Sequence, residues 1–391
     1  MLRKIPIAGS SLKIKDLLTA LSWIKKGDLE SRLYRKLSHL FFQKYFFFLN
    51  SGLSSFFVIL GILRKLSFKK KVILPAYTAP SLVVAIKKVG LFPVLCDINL
   101  ENFNMDREFL FNLVSGDTLC VVGVHMFGIP EDNLEGLKEK FPSIYIIEDC
   151  AQALGTKFKG NYVGNLGDIS FFSFNRGKNL STYCGGLIVT NDNILAERID
   201  EKIKKLPRKS FENYTLFFKN LFLSLAVRPL VYGLGYKFIS RFKDTRPPKD
   251  VILGSYTDFQ KVLLLLLLEN IDKVSKKRYL NGIRLIEALT NFEGIVLPKI
   301  SKDIQPAFNR LPILFKDLKK KERVQKELWK VGIETSSMYI KPLHHIFDLG
   351  YRKEEFPNAC YFAQHLLTLP THPLMSERQL DKIIEIIRKN C

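Results

Sequence analysis

Between residues 45 and 190 the chain alternates short apolar runs with stretches of helical spacing. The runs at 45–49, 72–74, 92–96, 118–124, 144–148, 169–174 and 187–189 are rich in β-branched and aromatic residues and predict seven strands. Segments such as 81–89 and 134–140 carry helical spacing between them. Strand and helix in alternation predict a mostly parallel sheet with helices on both faces, an α/β fold. Ligands of such sheets gather at the carboxyl ends of the strands, so the residues just after each run are the ones to inspect.

One of these ends is FFSFNRGKNLSTYCGG, residues 171–186, with a single lysine, Lys178, between glycines. A phosphate-binding P-loop is excluded: the leading glycine would stand at Phe172, and Asn179 rather than Ser or Thr follows the lysine. After the first run come Asn50, Ser51, Gly52 and Leu53, a small-residue turn opening a helix whose N–H groups suit a phosphate. After 144–147 come Glu148, Asp149, Cys150, Ala151 and Gln152, which put an acid at a strand end. Ser173 closes the run before Lys178. Phosphate seat, lone carboxylate and lysine together match what pyridoxal phosphate requires, with the lysine as Schiff-base former and the carboxylate holding the pyridine nitrogen protonated.

The order of these blocks resembles the DegT/DnrJ/StrS family of sugar aminotransferases. The likeness rests on Asn50-Ser51-Gly52, VILPAYTAPSLVVAIKKVGLFPVLCDIN (72–99), VHMFGIPED (124–132), IEDCAQALGTKFKGNYVGNLGDISFFSFNRGKN (147–179), GIETSSMYIKPLH (332–344) and LTLPTHPLMSERQLDKII (367–384). It implies the fold-type I architecture of pyridoxal phosphate enzymes: a large domain built on a seven-stranded, mostly parallel sheet, and a smaller α+β C-terminal domain. By the same resemblance Lys178 and Asp149 are catalytic, and Ser51, Gly52, Leu53, Gln152 and Ser173 join them in holding the cofactor, with no metal. The implied activity is transfer of an amino group from glutamate to a keto sugar, nucleotide-linked, for cell-surface polysaccharide such as O-antigen, by a homodimer. Tyr339 and Lys341 are implied substrate contacts. Three positions depart from the family pattern: Leu53 stands for a threonine, Ala79 for a ring that stacks on the cofactor, and Ser255 for an asparagine lent by the partner subunit. Tyr77 or His125 would then cover the ring. The departures keep a second reading in view, a catalytically weak or inactive protein of the same fold that serves as a membrane-associated scaffold or regulator.

Beyond 250 the stretch 251–290 predicts one long connecting helix, and 376–389 an amphipathic terminal one. The expected division is 1–250, a large domain with a basic apolar insertion at about 205–248, and 251–391, connecting helix plus small domain. The net charge of +22 points to polyanions, but the chain shows no nucleic-acid motif. Residues 201–250 hold 12 Lys and Arg against 4 Asp and Glu, and within them 213–242 is apolar and aromatic. Two readings of that segment stay open: a basic helix pair lying on an anionic membrane surface, or core and dimer-interface helices. The leucine run 262–268 reads as core or subunit contact. Six cysteines without a C-x-x-C pair, and an N-terminus without a continuous apolar stretch, predict a cytoplasmic chain, peripheral to the inner membrane face if 213–242 binds lipid. His344 and His345 have no third donor at a usual metal spacing.

Overall fold

A computed structural model describes residues 3–9, 12–24, 27–207, 212–239 and 247–390. Strands run β1 (Tyr45–Leu49), β2 (Lys71–Pro75), β3 (Phe92–Cys96), β4 (Thr118–Val124), β5 (Tyr145–Asp149), β6 (Lys157–Phe158), β7 (Asn161–Tyr162), β8 (Ile169–Ser173) and β9 (Gly186–Thr190). After them come β10 (Ile295–Val296), β11 (Ile304–Gln305), β12 (Leu311–Phe315) and β13 (Leu366–Leu369). The seven runs read from the sequence are the seven strands of one sheet, in the order β1-β9-β8-β5-β4-β2-β3. From β3 to β8 neighbours are parallel, and β9 lies antiparallel between β8 and β1.

Register decides where the strand ends meet. Val124 pairs with Asp149, Asp149 with Phe171, Ser173 with Gly186, and Gly186 with Leu49. Asp149, Ser173 and the Asn50-Ser51-Gly52 turn therefore share one edge of the sheet.

The pleat sends alternate side chains to opposite faces. Phe46, Phe48, Phe172, Leu187 and Val189 pack into one apolar cluster, while Leu49, Ile169, Phe171 and Ile188 pack into the other. The first cluster is closed by α1 (Ile14–Trp23), α2 (Leu29–Phe41) and two helices from farther along the chain. The second is closed by α3 (Gly52–Leu66) and α4 (Pro80–Lys88), and runs on without a break into the small sheet. The remaining helices are α5 (Arg107–Leu113), α6 (Leu137–Lys140), α7 (Asn193–Ile203), α8 (Glu212–Ala226), α9 (Pro229–Ile239), α10 (Asp258–Leu268), α11 (Ile271–Leu289), α12 (Leu318–Lys330), α13 (Pro357–His365) and α14 (Glu377–Asn390). Of these, α8 and α10 complete the first cluster.

The long helix expected over 251–290 is two. Thr257 starts α10 with a capping box to Gln260, and the chain leaves helical geometry at Asn270 before α11 begins. The leucines of 262–268 are buried inside this chain except Leu266, which is partly buried, and α10 packs on α1, α2 and α8. The helix expected over 134–140 shrinks to α6, because Gly136 takes a left-handed conformation and stops it from starting earlier. Beyond α11, β10, β12 and β13 form a small antiparallel sheet with α12, α13 and α14.

Candidate active site

The turn after β8 carries Lys178, and the chain on both sides of it is fixed. Asn309 Nδ2 donates to Gly177 O at 2.9 Å and to Asn179 Oδ1 at 3.1 Å, while Asn179 Nδ2 donates to Leu154 O at 2.9 Å. Gly177 sits at φ +79°, a conformation that costs a glycine little. The Lys178 side chain itself makes no ion pair among the described residues. Burial pushes its amine down to about 8, Asp149 pulls the other way, and Arg310 adds to the lowering.

Asp149 ends β5, and among the described residues its side chain accepts one hydrogen bond, from Ala151 N to Oδ1 at 2.9 Å. Burial raises its carboxyl, opposed by that bond and by Lys178 and His125. Lys178 and Asp149 thus lie close enough to shift each other's proton affinity without touching. His125 is fully buried and committed at both nitrogens. Glu131 N donates to Nδ1 at 2.9 Å, which leaves Nε2–H to donate to Glu148 Oε2 at 3.0 Å. Gln152 accepts from Phe127 N at 3.3 Å and donates to Met126 Sδ at 3.0 Å.

At the start of α3, Ser51 is the N-cap and its Oγ accepts from Ser54 N at 3.0 Å. Gly52 follows against β8: a Cβ there would stand 2.8 Å from Ser173 Cβ, so the helix start and Ser173 approach this closely only with glycine. Ser54 is a poor stand-in for the threonine replaced by Leu53, since its one hydroxyl hydrogen already has two acceptors in reach, Asn50 Oδ1 at 2.7 Å and Ile252 O at 3.0 Å. Leu53 packs against the core. Ser255 Oγ donates to Pro207 O within the same chain at 2.9 Å.

Arg310, absent from the sequence reading and standing just before β12, comes near enough to Lys178 to act on its charge. Its charge acts on Lys178, Tyr339 and Tyr77, burial lowers its proton affinity, its Nε is buried without a hydrogen bond, and Nη1 meets the Met338 sulfur at 3.4 Å. Tyr77 accepts Tyr339 N at 3.2 Å, and burial raises both phenols, that of Tyr339 further under the charge of Asp149. Ala79 is the N-cap of α4, and Lys341 is exposed. The structure also supplies what the sequence did not show for His344 and His345: α13 brings Cys360 Sγ to 3.7 and 3.8 Å from their Nε2 atoms.

Pyridoxal phosphate asks for an anion seat, an amine able to lose its proton, and a carboxylate with capacity to spare. The residues fit: a helix start cleared of a Cβ beside Ser173, Lys178 with a lowered proton affinity, and Asp149 with one oxygen uncommitted among the described residues. The model of the DegT/DnrJ/EryC1/StrS aminotransferase family matches residues 11–238 and 241–388. An uncharacterized protein of Methanocaldococcus jannaschii, MJ1066, is 28% identical over 94% of this chain and 91% of its own. GDP-perosamine synthase of Escherichia coli O157:H7 is 28% identical over 82% of this chain and 78% of its own. The pyridoxal phosphate form of a putative sugar aminotransferase of Streptococcus pneumoniae, Spr1654, superposes with a TM-score of 0.76 at 23% identity, covering 99% of this chain and 100% of that one.

Proposed function

The chain belongs to the DegT/DnrJ/EryC1/StrS aminotransferase family, and from there we propose that it moves an amino group from glutamate to a keto sugar carried on a nucleoside diphosphate, for a surface polysaccharide. The observation that carries this reading is that Lys178 follows β8 and Asp149 ends the neighbouring β5, each acting on the other's charge with no ion pair between them among the described residues. The GDP in the name of the E. coli relative and this chain's charge of +22 support a nucleotide-borne substrate.

Bound pyridoxal phosphate supplies the electron sink for the charge left when a proton leaves Cα of the amino donor. The Ser51-Gly52-Leu53 helix start and Ser173 would hold its phosphate, Gln152 would pack beside its ring, and Asp149 would keep the ring nitrogen protonated. Lys178 Nζ, with its proton affinity brought near the working pH, takes the Cα proton and later returns it. Arg310 offers its guanidinium to a substrate carboxylate. The test is an absorbance titration of the purified chain with pyridoxal phosphate, followed by glutamate. The visible band of a lysine-bound cofactor should form, and glutamate should bleach it; a chain that binds the cofactor but keeps the band under every amino donor is not this enzyme. Lys178→Ala should form no such band.

A second surface adds a location. Tyr214, Phe218, Phe222 and Leu225 make an exposed stripe along α8, continued by Leu230, Val231 and Leu234 on α9. No single described helix is long and apolar enough to cross a membrane, and α8 with the first two turns of α9 does so only as a pair bent by 93°. We take the pair to lie on an anionic leaflet, because the surrounding segment is strongly basic; its expected reach to residue 242 lies partly outside the described residues. Sedimentation with vesicles containing phosphatidylglycerol tests this. Binding lost in Phe218→Glu supports it, whereas a dimer in light scattering that Phe218→Glu dissociates would assign the stripe to a second copy of the chain.

A further inference from the structure

We propose that His344, His345, Cys360 and the carbonyl of Lys353 form a site for one borderline-soft divalent metal ion, of the zinc class, outside the cleft that holds Lys178. Pro342 leads into a single tight turn, Leu343–His345, which sets two consecutive imidazoles side by side with ring centroids 4.3 Å apart. Both Nε2 atoms face Lys353 O, at 3.3 Å from His344 and 2.9 Å from His345. Cys360 Sγ lies 3.7 Å from His344 Nε2, 3.8 Å from His345 Nε2 and 3.8 Å from Lys353 O.

These are five of the six edges of a four-donor cluster, and the sixth, between the two histidine nitrogens, is within 4.8 Å. With metal–nitrogen and metal–oxygen bonds of about 2.0–2.1 Å and a metal–sulfur bond of about 2.3 Å, tetrahedral angles place nitrogen and oxygen donors about 3.3 Å apart and sulfur about 3.5 Å from either. The five distances depart from those edges by a few tenths of an ångström. Hydrogen bonding alone accounts for the arrangement poorly. Lys353 O has two lone pairs for three converging groups, so hydrogen bonding satisfies them only if one imidazole takes the tautomer whose Nε2 accepts from the Cys360 thiol; Glu355 O, 3.7 Å from Sγ, offers the thiol another weak acceptor. One ion in place of the converging hydrogens removes that crowding.

The donors are held from separate anchors, so the site does not depend on the ion to assemble. Leu343 N donates to Ala76 O at 2.8 Å, which ties the histidine turn to the end of β2. Asp97 accepts Asn358 N at 3.1 Å and Ala359 N at 2.8 Å, which fixes the start of α13 beside Cys360. The charges of Asp97, Glu354 and Glu355 act on this cluster and favour a cation. A donor set of two imidazoles, one thiolate and one carbonyl suits zinc, cobalt or copper and not magnesium or calcium. The other such group among the described residues, His125, Glu148 and Cys150, is disqualified by bonding: both His125 nitrogens and both Glu148 oxygens are already spent. The ion would hold α13 to the 343–353 turn, and α13 also carries Phe362, whose ring packs 4.8 Å from that of Tyr77 at the cleft.

Full-length chain stripped with a chelator and titrated with Zn²⁺ against a competing chromophore tests the assignment. One zinc per chain is expected, with slower alkylation of Cys360 and a higher melting temperature when it is bound. Co²⁺ should give thiolate charge-transfer absorbance that Cys360→Ser lacks. Cys360→Ser and His345→Gln, at side chains that are not buried, should each weaken zinc binding at least about tenfold. Zinc bound equally by both variants, or no zinc bound at micromolar concentration by the folded parent chain, would overturn the proposal.

Discussion

Glu148 and Asp149 are adjacent acids on one strand, both almost wholly buried, and they have opposite fates. The pleat turns them to opposite faces. Glu148 Oε1 accepts Leu166 N at 2.7 Å and Gly167 N at 2.8 Å, and Oε2 accepts Gly164 N at 2.8 Å and His125 Nε2 at 3.0 Å. Those four bonds use the capacity of a carboxylate, so Glu148 is a fastener for the loop before β8. Asp149 receives one bond, and the charge of Lys178 acts across the cleft. Burial alone does not set the two acids apart; the bonding capacity left over after folding does.

The comparison is sharpest when the cleft loses its amine. Lys178→Ala should cost at least about 10⁴-fold in turnover, because carrier and proton shuttle go together, while cofactor phosphate binding at the start of α3 persists. Single-turnover assays with glutamate read this, and a loss below tenfold would remove Lys178 from the chemistry. Exchanging the two acids for their amides should then give crossed results. Asp149→Asn should lower turnover about 10²–10⁴-fold and leave the denaturation midpoint unchanged or raised. Glu148→Gln should lower stability by about 2–4 kcal/mol, since an amide NH₂ would be set against backbone N–H donors. Two variants that lose stability alike would erase the distinction between the neighbours.

Why the proposed site at the sheet edge was legible in the sequence and other features were not follows from geometry. Lys178, Asp149, Ser173 and the Ser51-Gly52 turn all stand at carboxyl ends of runs in one mostly parallel sheet, where local sequence and the proposed site coincide. Arg310 stands before its strand, in the other sheet, and reaches the cleft because Asn309 bonds to both neighbours of Lys178. No spacing announces that. Cys360 is hidden for a similar reason, fifteen residues from His345 and on another element. The break at Asn270 is equally silent: apolar spacing runs through it, and the bend is a tertiary choice.

Arg310 extends the leftover-capacity argument to a cation. Among the described residues its buried Nε has no hydrogen bond and its Nη1 meets only a sulfur, which leaves the guanidinium capacity for a substrate carboxylate. Arg310→Met should raise KM for glutamate roughly 10–100-fold, the value of one or two charge-assisted hydrogen bonds, with a smaller change in kcat. Arg310→Lys should recover little, because a point charge does not reproduce the fork. Equal KM values for parent and Arg310→Met would leave the cation without this role.

The smallest effect concerns stability and has a definite sign. The folded chain lowers the Lys178 amine from 10.5 to about 8, so over that interval the unfolded chain binds more protons, and stability rises with pH. The cost of keeping a charged lysine there is fully present below about pH 8 and vanishes above the unfolded value. Lys178→Met, close in length and uncharged, should therefore stabilise the cofactor-free chain at pH 7 by about 1–2 kcal/mol, less than the shift alone would give because the side chain is partly exposed. The gain should fade as pH is raised from 8 toward 10.5. Urea midpoints for the two chains across that range decide it: a constant difference would mean that methionine packs better, and only a difference that closes with pH identifies the charge as the cost of holding a reactive amine in the cleft.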